Sequence, residues 1–190
     1  LKIKFVAAVG EAAFYGPKID IQFKAVTGRE ETLSTIQLDF SAKSGFDFRY
    51  FDVKGRVNKE VFVIHRAPLS THERFIAFLI EHYTGNFPLW LAPVQIRFLT
   101  LTDRNVEFAG KLVNNLKEKG FRIELDQRQE TMSKKVYDAQ LAKIPLMITI
   151  GDKEEKNNTV SIRTLDGKVT FGVNVEDFIK DLEFKVKNRK

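Results

Sequence analysis

Apolar and polar residues alternate at period two through much of the first third of the chain. Leu1-Lys2-Ile3-Lys4-Phe5 does so, and Lys18 to Phe23 puts Ile19, Ile21 and Phe23 on one side, the spacing of half-buried strands. Thr35 to Phe40 sorts Thr35, Gln37 and Asp39 to one face and Ile36, Leu38 and Phe40 to the other. Val61-Phe62-Val63-Ile64 reads as a short buried strand, and Gly28-Arg29 and Lys54-Gly55 as turns. Phe46, Phe48 and Tyr50 also alternate, set among small residues. Strand following strand with no helical period between them predicts an antiparallel sheet over residues 1–66.

The period then changes. Phe75, Phe78, Leu79 and Tyr83 fall three and four apart, which predicts a helix from Ser70 to Tyr83 with one apolar stripe. Ser70 and Glu73 form a capping-box signature at its start, and Gly85 supplies a stop. Pro88 and Pro93 forbid helix continuation, so two domains are expected, 1–90 and 91–190. Beyond them strands and helices alternate: strand 94–101, a helix capped by Asp103 and running to Lys119, strand 121–125, helix 134–143, and strand 146–150 introduced by Pro145. That order favours a mainly parallel sheet. A hairpin around Asp166-Gly167 and a last helix capped by Asn174, with Val175, Phe178, Ile179, Leu182 and Val186 on one face, complete a mixed five-stranded α/β unit.

Composition narrows the chemistry. The 190 residues are 43% hydrophobic, enough for a packed core. No apolar run nears the roughly 20 residues of a membrane span. With no cysteine there is neither a disulfide nor a thiolate metal site, so no membrane association and a cytoplasmic setting are expected. Leu1 opens the sequence where a methionine would start a gene product, so a piece of a longer protein is expected. Lys and Arg exceed Asp and Glu by 31 to 25, a surplus that permits nucleic-acid contact without demanding it.

The histidines are His65, His72 and His82. The last two lie about 15 Å apart along one predicted helix and cannot share an ion. No phosphate-binding glycine motif is present. The tight bend Gly10 to Asp20 lets backbone and Lys18 approach a ligand, and Lys18 suits a phosphate or carboxylate as a point charge. Arg74, one turn into the helix, is placed to grip a polyphosphate.

Taken in order, GEAAFYGPKID, TIQLDF, VIHRAPLSTHERFIAFLIEHYTGNFPLWLAPVQ and IGDKEEKNNTVSIRT resemble the C-terminal half of the threonyl-tRNA synthetase family within class II. The resemblance implies the end of an antiparallel catalytic sheet with its motif 3 strand and helix, followed by an α/β anticodon-binding domain. It implies ATP-dependent activation of threonine and its transfer to tRNA(Thr), with ATP and Mg2+ as cofactors. Arg74 then contacts the ATP phosphates and Lys18 lies near the adenylate, the two as catalytic residues. Thr35 and Gln37 face the nucleotide, and Tyr15 and Gln37 line the threonine pocket. His65 becomes one of three Zn2+ ligands whose partners lie upstream. Glu154 and Arg163, with Gln129 and Arg128, fall to the anticodon. A homodimer is implied for the full-length protein, and the fragment by itself is expected to be inactive.

The chain departs from the family pattern at ligand-facing positions. Ala12 stands where a glycine is usual, Thr32-Leu33-Ser34 where Gln-Cys-Gly precedes the threonine, Ser70 where the helix opens with glycine, Gln129 in place of Asn and Tyr137 in place of Arg. These departures support a rival reading, a non-catalytic RNA-binding or scaffold paralogue on the same fold.

Overall fold

The computed structural model describes residues 3–189, which fall in two units that divide between residues 82 and 83. In the first, β1 (Lys18–Lys24), β2 (Glu30–Asp39) and β5 (Val63–Ala67) form an antiparallel sheet in the order β1-β2-β5. A helix, α1 (Ser41–Phe46), and a small pair, β3 (Tyr50–Phe51) with β4 (Val57–Asn58), fill the β2–β5 connection; α2 (His72–Tyr83) follows.

Several local expectations are corrected. Leu1 and Lys2 lie outside the described residues, and residues 3–5 form no strand. Alternation yields a strand only where a neighbour supplies a ladder, and none of the described strands pairs there. β5 begins at Val63 because its ladder starts opposite Asp39, where β2 ends; Val61 and Phe62 run past that end. β5 is also an edge strand with Ile64 exposed, so it is not a buried one. The alternating Phe46 and Phe48 do not make a strand. Asp39 Oδ1 accepts from the backbone N–H of Ser41 (2.8 Å) and Ala42 (3.0 Å) and turns the chain into α1 instead. The hydroxyl that caps α2 belongs to Thr71, accepting from the N–H of Arg74 at 3.3 Å. Ser70 sits just outside with a left-handed backbone, φ 56°.

The second unit carries the mixed sheet expected, in the order β10-β9-β8-β6-β7. β6 (Ile96–Thr100) pairs in parallel with β7 (Ile123–Asp126) and β8 (Leu146–Ile150); β9 (Thr159–Thr164) and β10 (Val169–Asn174) continue antiparallel. α3 (Val106–Glu118) and α6 (Val175–Lys187) pack Val113, Leu116, Phe178 and Leu182 against Ile96, Phe98, Ile148 and Val160. α4 (Met132–Leu141) covers the opposite face through Ala139 against Leu99 and Met147. β6 and β7 each start two residues later than expected, and three further elements differ. A single 3-10 turn at Asp103–Asn105 precedes α3, where a cap by Asp103 was expected. α4 starts two residues early because Thr131 accepts from the N–H of Lys134. The Gly-Asp-Lys-Glu segment opens a short helix, α5 (Asp152–Asn157), where a turn was expected.

Candidate functional site

The polar face of the first sheet is built by its register. Lys18 lies opposite Gln37 and Asp20 opposite Thr35, while on the far side Gln37 faces His65 and Thr35 faces Ala67. Residues opposite one another in a ladder share a face, so Lys18, Gln37 and His65 form one row across three strands. Further along, Ile21 pairs with Ser34 and the next residue, Gln22, with Thr32, so Leu33 is an extra residue. A bulge of this kind shifts the alternation by one. Thr32 thereby joins the face of Thr35, and its hydroxyl meets the Gln22 amide at 2.9 Å.

Tyr15 is brought over this face by the bend before β1. Gly16 has φ 156°, and a Cβ there would lie 2.0 Å from the Leu38 carbonyl oxygen, so no other residue fits. The bend is laced to β2 by Phe40 N–H donating to the Tyr15 carbonyl (2.9 Å) and Leu38 N–H to that of Pro17 (3.0 Å).

The side chains on the face are linked in series. The Lys18 ammonium donates to Asp20 Oδ2 at 2.6 Å, and the Thr35 hydroxyl to Asp20 Oδ1 at 2.6 Å. The Gln37 amide donates to the Thr35 hydroxyl at 3.1 Å, and the Tyr15 hydroxyl donates to the Gln37 carbonyl oxygen. The Lys18 and Thr35 donors hold the Asp20 carboxyl below its ordinary range, and Asp20 raises Lys18. Tyr15 also meets the His65 ring edge-on, centroids 5.7 Å apart. His65 Nε2 lies 2.9 Å from Asp39 Oδ2. That imidazole, with the Ser41 hydroxyl and the N–H groups of Ala42 and Ser41, lowers Asp39 to about 2.

Tyr15, Thr35, Gln37, Asp39 and His65 line one cavity of about 570 Å3. Lys18 does not line it. Arg74 lines a second groove of about 360 Å3 with Glu31, Thr32, Leu33, Ser70 and Phe78. β2 runs beneath both, Thr32 and Thr35 being about 10 Å apart along the strand, so cavity and groove are consecutive stations on one strand.

A metal at His65 is compatible with its surroundings. A carboxylate on one ring nitrogen, as Asp39 supplies, is the usual orienting partner of a ligating imidazole. Among the described residues, however, no three His, Cys, Asp or Glu converge on a common point, and zinc needs at least three protein ligands.

In the second unit, Glu154 is tied to the strand that carries Arg163 through a residue that sequence reasoning missed. The Ser161 hydroxyl donates to Glu154 Oε1 at 2.7 Å, and Ser161 and Arg163 are two apart on one face of β9. Arg128 and Gln129 lie elsewhere. They follow β7, which is three strands from β9, roughly 14 Å at ordinary strand spacing. Arg128 is held by Asp126 (2.6 Å) and Asp138 (3.0 Å), which raise it further. Gln129 donates to Asp103 at 3.1 Å. Of the residues given no role from sequence, Asp39 already shared the face of Thr35 and Gln37 by alternation, though not its pairing with His65, and Asp20 alternates with Lys18. Ser161 carried no signal beyond lying two residues before Arg163.

Residues 91–185 match the family described as "Anticodon binding domain", and residues 2–83 the one described as "tRNA synthetase class II core domain (G, H, P, S and T)". The chain belongs to the class II aminoacyl-tRNA synthetases. Relatives of this synthetase chain are named threonine–tRNA ligase. The protein from Geobacillus sp. (strain WCH70) is 43% identical over 188 residues, 98% of this chain and 29% of its own length. That from Lactococcus lactis is 45% identical over 189 residues, 99% of this chain and 29% of its own. The chain thus spans under a third of the relatives it matches. Among solved structures, the RNA binding domain of threonyl-tRNA synthetase from Cryptosporidium parvum superposes with a TM-score of 0.75 at 32% identity, covering 92% of this chain and 44% of that one. A putative threonyl-tRNA synthetase from Aeropyrum pernix gives 0.62 at 27% identity, with coverages of 94% and 44%.

Proposed function

We propose that the chain is the C-terminal portion of a threonine–tRNA ligase. Residues 1–90 close the catalytic domain, and residues 91–190 read the anticodon of tRNA(Thr). The observation that carries this is the linked set Lys18–Asp20–Thr35–Gln37–Tyr15 ending beside His65. A small polar amino acid needs fixed donors and acceptors around it. Tyr15 and Gln37 supply them, each oriented by the next member of the series. Arg74, whose side chain makes no ion pair with the described residues, is available to phosphate. Its guanidinium neutralises charge as pyrophosphate departs, while Glu31 offers a carboxylate to the Mg2+ that accompanies the nucleotide. Zinc, when bound at His65 with ligands from outside this chain, supplies a Lewis acid for the amine and hydroxyl of threonine, which valine cannot match. The proposal includes a cytoplasmic homodimer for the whole protein. For the described residues, no helix is long and apolar enough to cross a membrane.

The test is threonine-dependent ATP–pyrophosphate exchange in the protein that carries this chain at its C terminus. Arg74→Ala should lower the exchange rate by about a hundredfold, as for loss of one preorganised charge donor. Exchange unaffected by the substitution would overturn the assignment. The rival reading, a non-catalytic RNA-binding paralogue, draws on a specific observation. Thr32, Leu33 and Ser70, three of the departures from the family pattern, all line the groove of Arg74. Absence of exchange in the wild-type protein would favour that paralogue.

A further inference from the structure

We infer that Ser161 is a positioning residue for base recognition, holding Glu154 in the one arrangement whose carboxylate can accept from the N–H groups of an unpaired RNA base. The inference rests on the reading of Glu154 and Arg163 as anticodon contacts. Ser161 is 4% exposed, so it cannot touch RNA itself. Its hydroxyl holds Glu154 Oε1 at 2.7 Å, and the Gly151 N–H holds Oε2 at 3.1 Å. Each carboxylate oxygen has two acceptor sites, so each keeps one for a ligand while the plane of the group is fixed. Without these donors a half-exposed glutamate would be ordered only on binding, at a cost in affinity and selectivity.

Two neighbours fit this role. A Cβ on Gly151 would lie 3.2 Å from Glu154 Oε2 and 3.3 Å from the Leu101 side chain, so glycine leaves the space this arrangement occupies. Arg163, two residues along the same face of β9 and about 7 Å away, carries donors only. Arg163 Nη1 donates to the Gly167 carbonyl at 3.4 Å. Its remaining N–H groups are donors on the same strand face as the hydroxyl that holds the Glu154 acceptors, the complement of a base edge that shows N–H groups next to a carbonyl oxygen. Single-stranded loops are read on such edges.

The experiment titrates the whole chain, by fluorescence anisotropy, with anticodon stem-loop RNAs that differ at one unpaired base in having or lacking an exocyclic amine, guanosine against inosine. Ser161→Ala should reduce the affinity ratio between the two RNAs roughly tenfold, the value of one hydrogen bond to a charged group, with Ser161→Thr restoring it. Gly151→Ala, which crowds the carboxylate and leaves Ser161 in place, should reduce the ratio as well. If Glu154→Gln lowers the ratio and Ser161→Ala does not, the positioning role is wrong and the RNA reading of Glu154 stands. If Glu154→Gln is itself without effect, that reading falls and the role of Ser161 with it. Equal weakening of both RNAs by Ser161→Ala would mark a purely structural hydroxyl and overturn the inference.

Discussion

Ser70 holds a left-handed backbone, φ 56°, at the wall of the groove that contains Arg74. A Cβ in that region costs about 1–2 kcal/mol, and glycine avoids the cost while losing some of the gain to chain entropy in the unfolded state. Ser70→Gly should therefore stabilise the first unit by about 0.5–1 kcal/mol, read from its thermal unfolding. The substitution also removes a side chain from the groove wall and should tighten ATP binding measured by calorimetry. Unchanged stability would mean that Ser70 bears its conformation without strain. The strain was not legible in the sequence, where Ser70 with Glu73 looked like a helix cap. Ser70 and Thr71 both offer a capping hydroxyl, only Ser70 has a glutamate three residues on, and the hydroxyl of Thr71 nonetheless took the role. The shared face of Thr35 and Gln37 and the bend at Gly16-Pro17 could be read because strand alternation and glycine-proline turns are local rules. Asp39 as the partner of His65 could not, because it depends on how β2 and β5 are paired.

Between elements, register decides more than pattern does. The bulge at Leu33 carries Thr32 onto the polar face, and strict alternation would have assigned it to the apolar one. Parallel strands were legible in the second unit because each is followed by a helix, yet the means by which α4 is fastened was not. Lys135 looks like a surface residue in sequence and is 2% exposed. Its ammonium donates to the carbonyl oxygens of Thr100 (2.8 Å) and Asp126 (3.3 Å), at the C-terminal ends of β6 and β7. The Asp126 carbonyl also accepts from the Thr100 hydroxyl at 3.3 Å, so the helix adds a donor at the ends of both strands. Lys135→Met keeps the stem and strips the donor, so it should destabilise the second unit by about 1–3 kcal/mol in urea unfolding, the cost of unsatisfied buried polar groups. Equal or greater stability in the variant would show that desolvation of the ammonium outweighs the bonds it makes.

Over the whole molecule, burial is unequal. In residues 3–82 the buried apolar side chains are Ala25 and Ala42, whereas Ile96, Phe98, Leu99, Leu116, Met147, Ile148 and Leu182 are all at 3% exposure or below in the second unit. The apolar face of the first sheet leaves Ile19, Ile21, Ile36 and Ile64 exposed. Removal of apolar surface from water is worth about 25 cal/mol per Å2, so the two units gain very different amounts from folding. Regions with little buried contact open locally at low free energy. Brief treatment with thermolysin should therefore cut first within residues 3–82 and leave a resistant species beginning between about residues 83 and 93. Hydrogen exchange should be slowest at the amides of β6 and β8 and fast in β1 and β2. On the proposed function, the polar series from Lys18 to Tyr15 is a prearranged site on a weakly held scaffold, and ligand binding there should slow exchange in β2. Equal protection of β2 and β8 in the free chain would refute this account, because hydrogen bonds along a solvated face would then be holding the first unit together without a core.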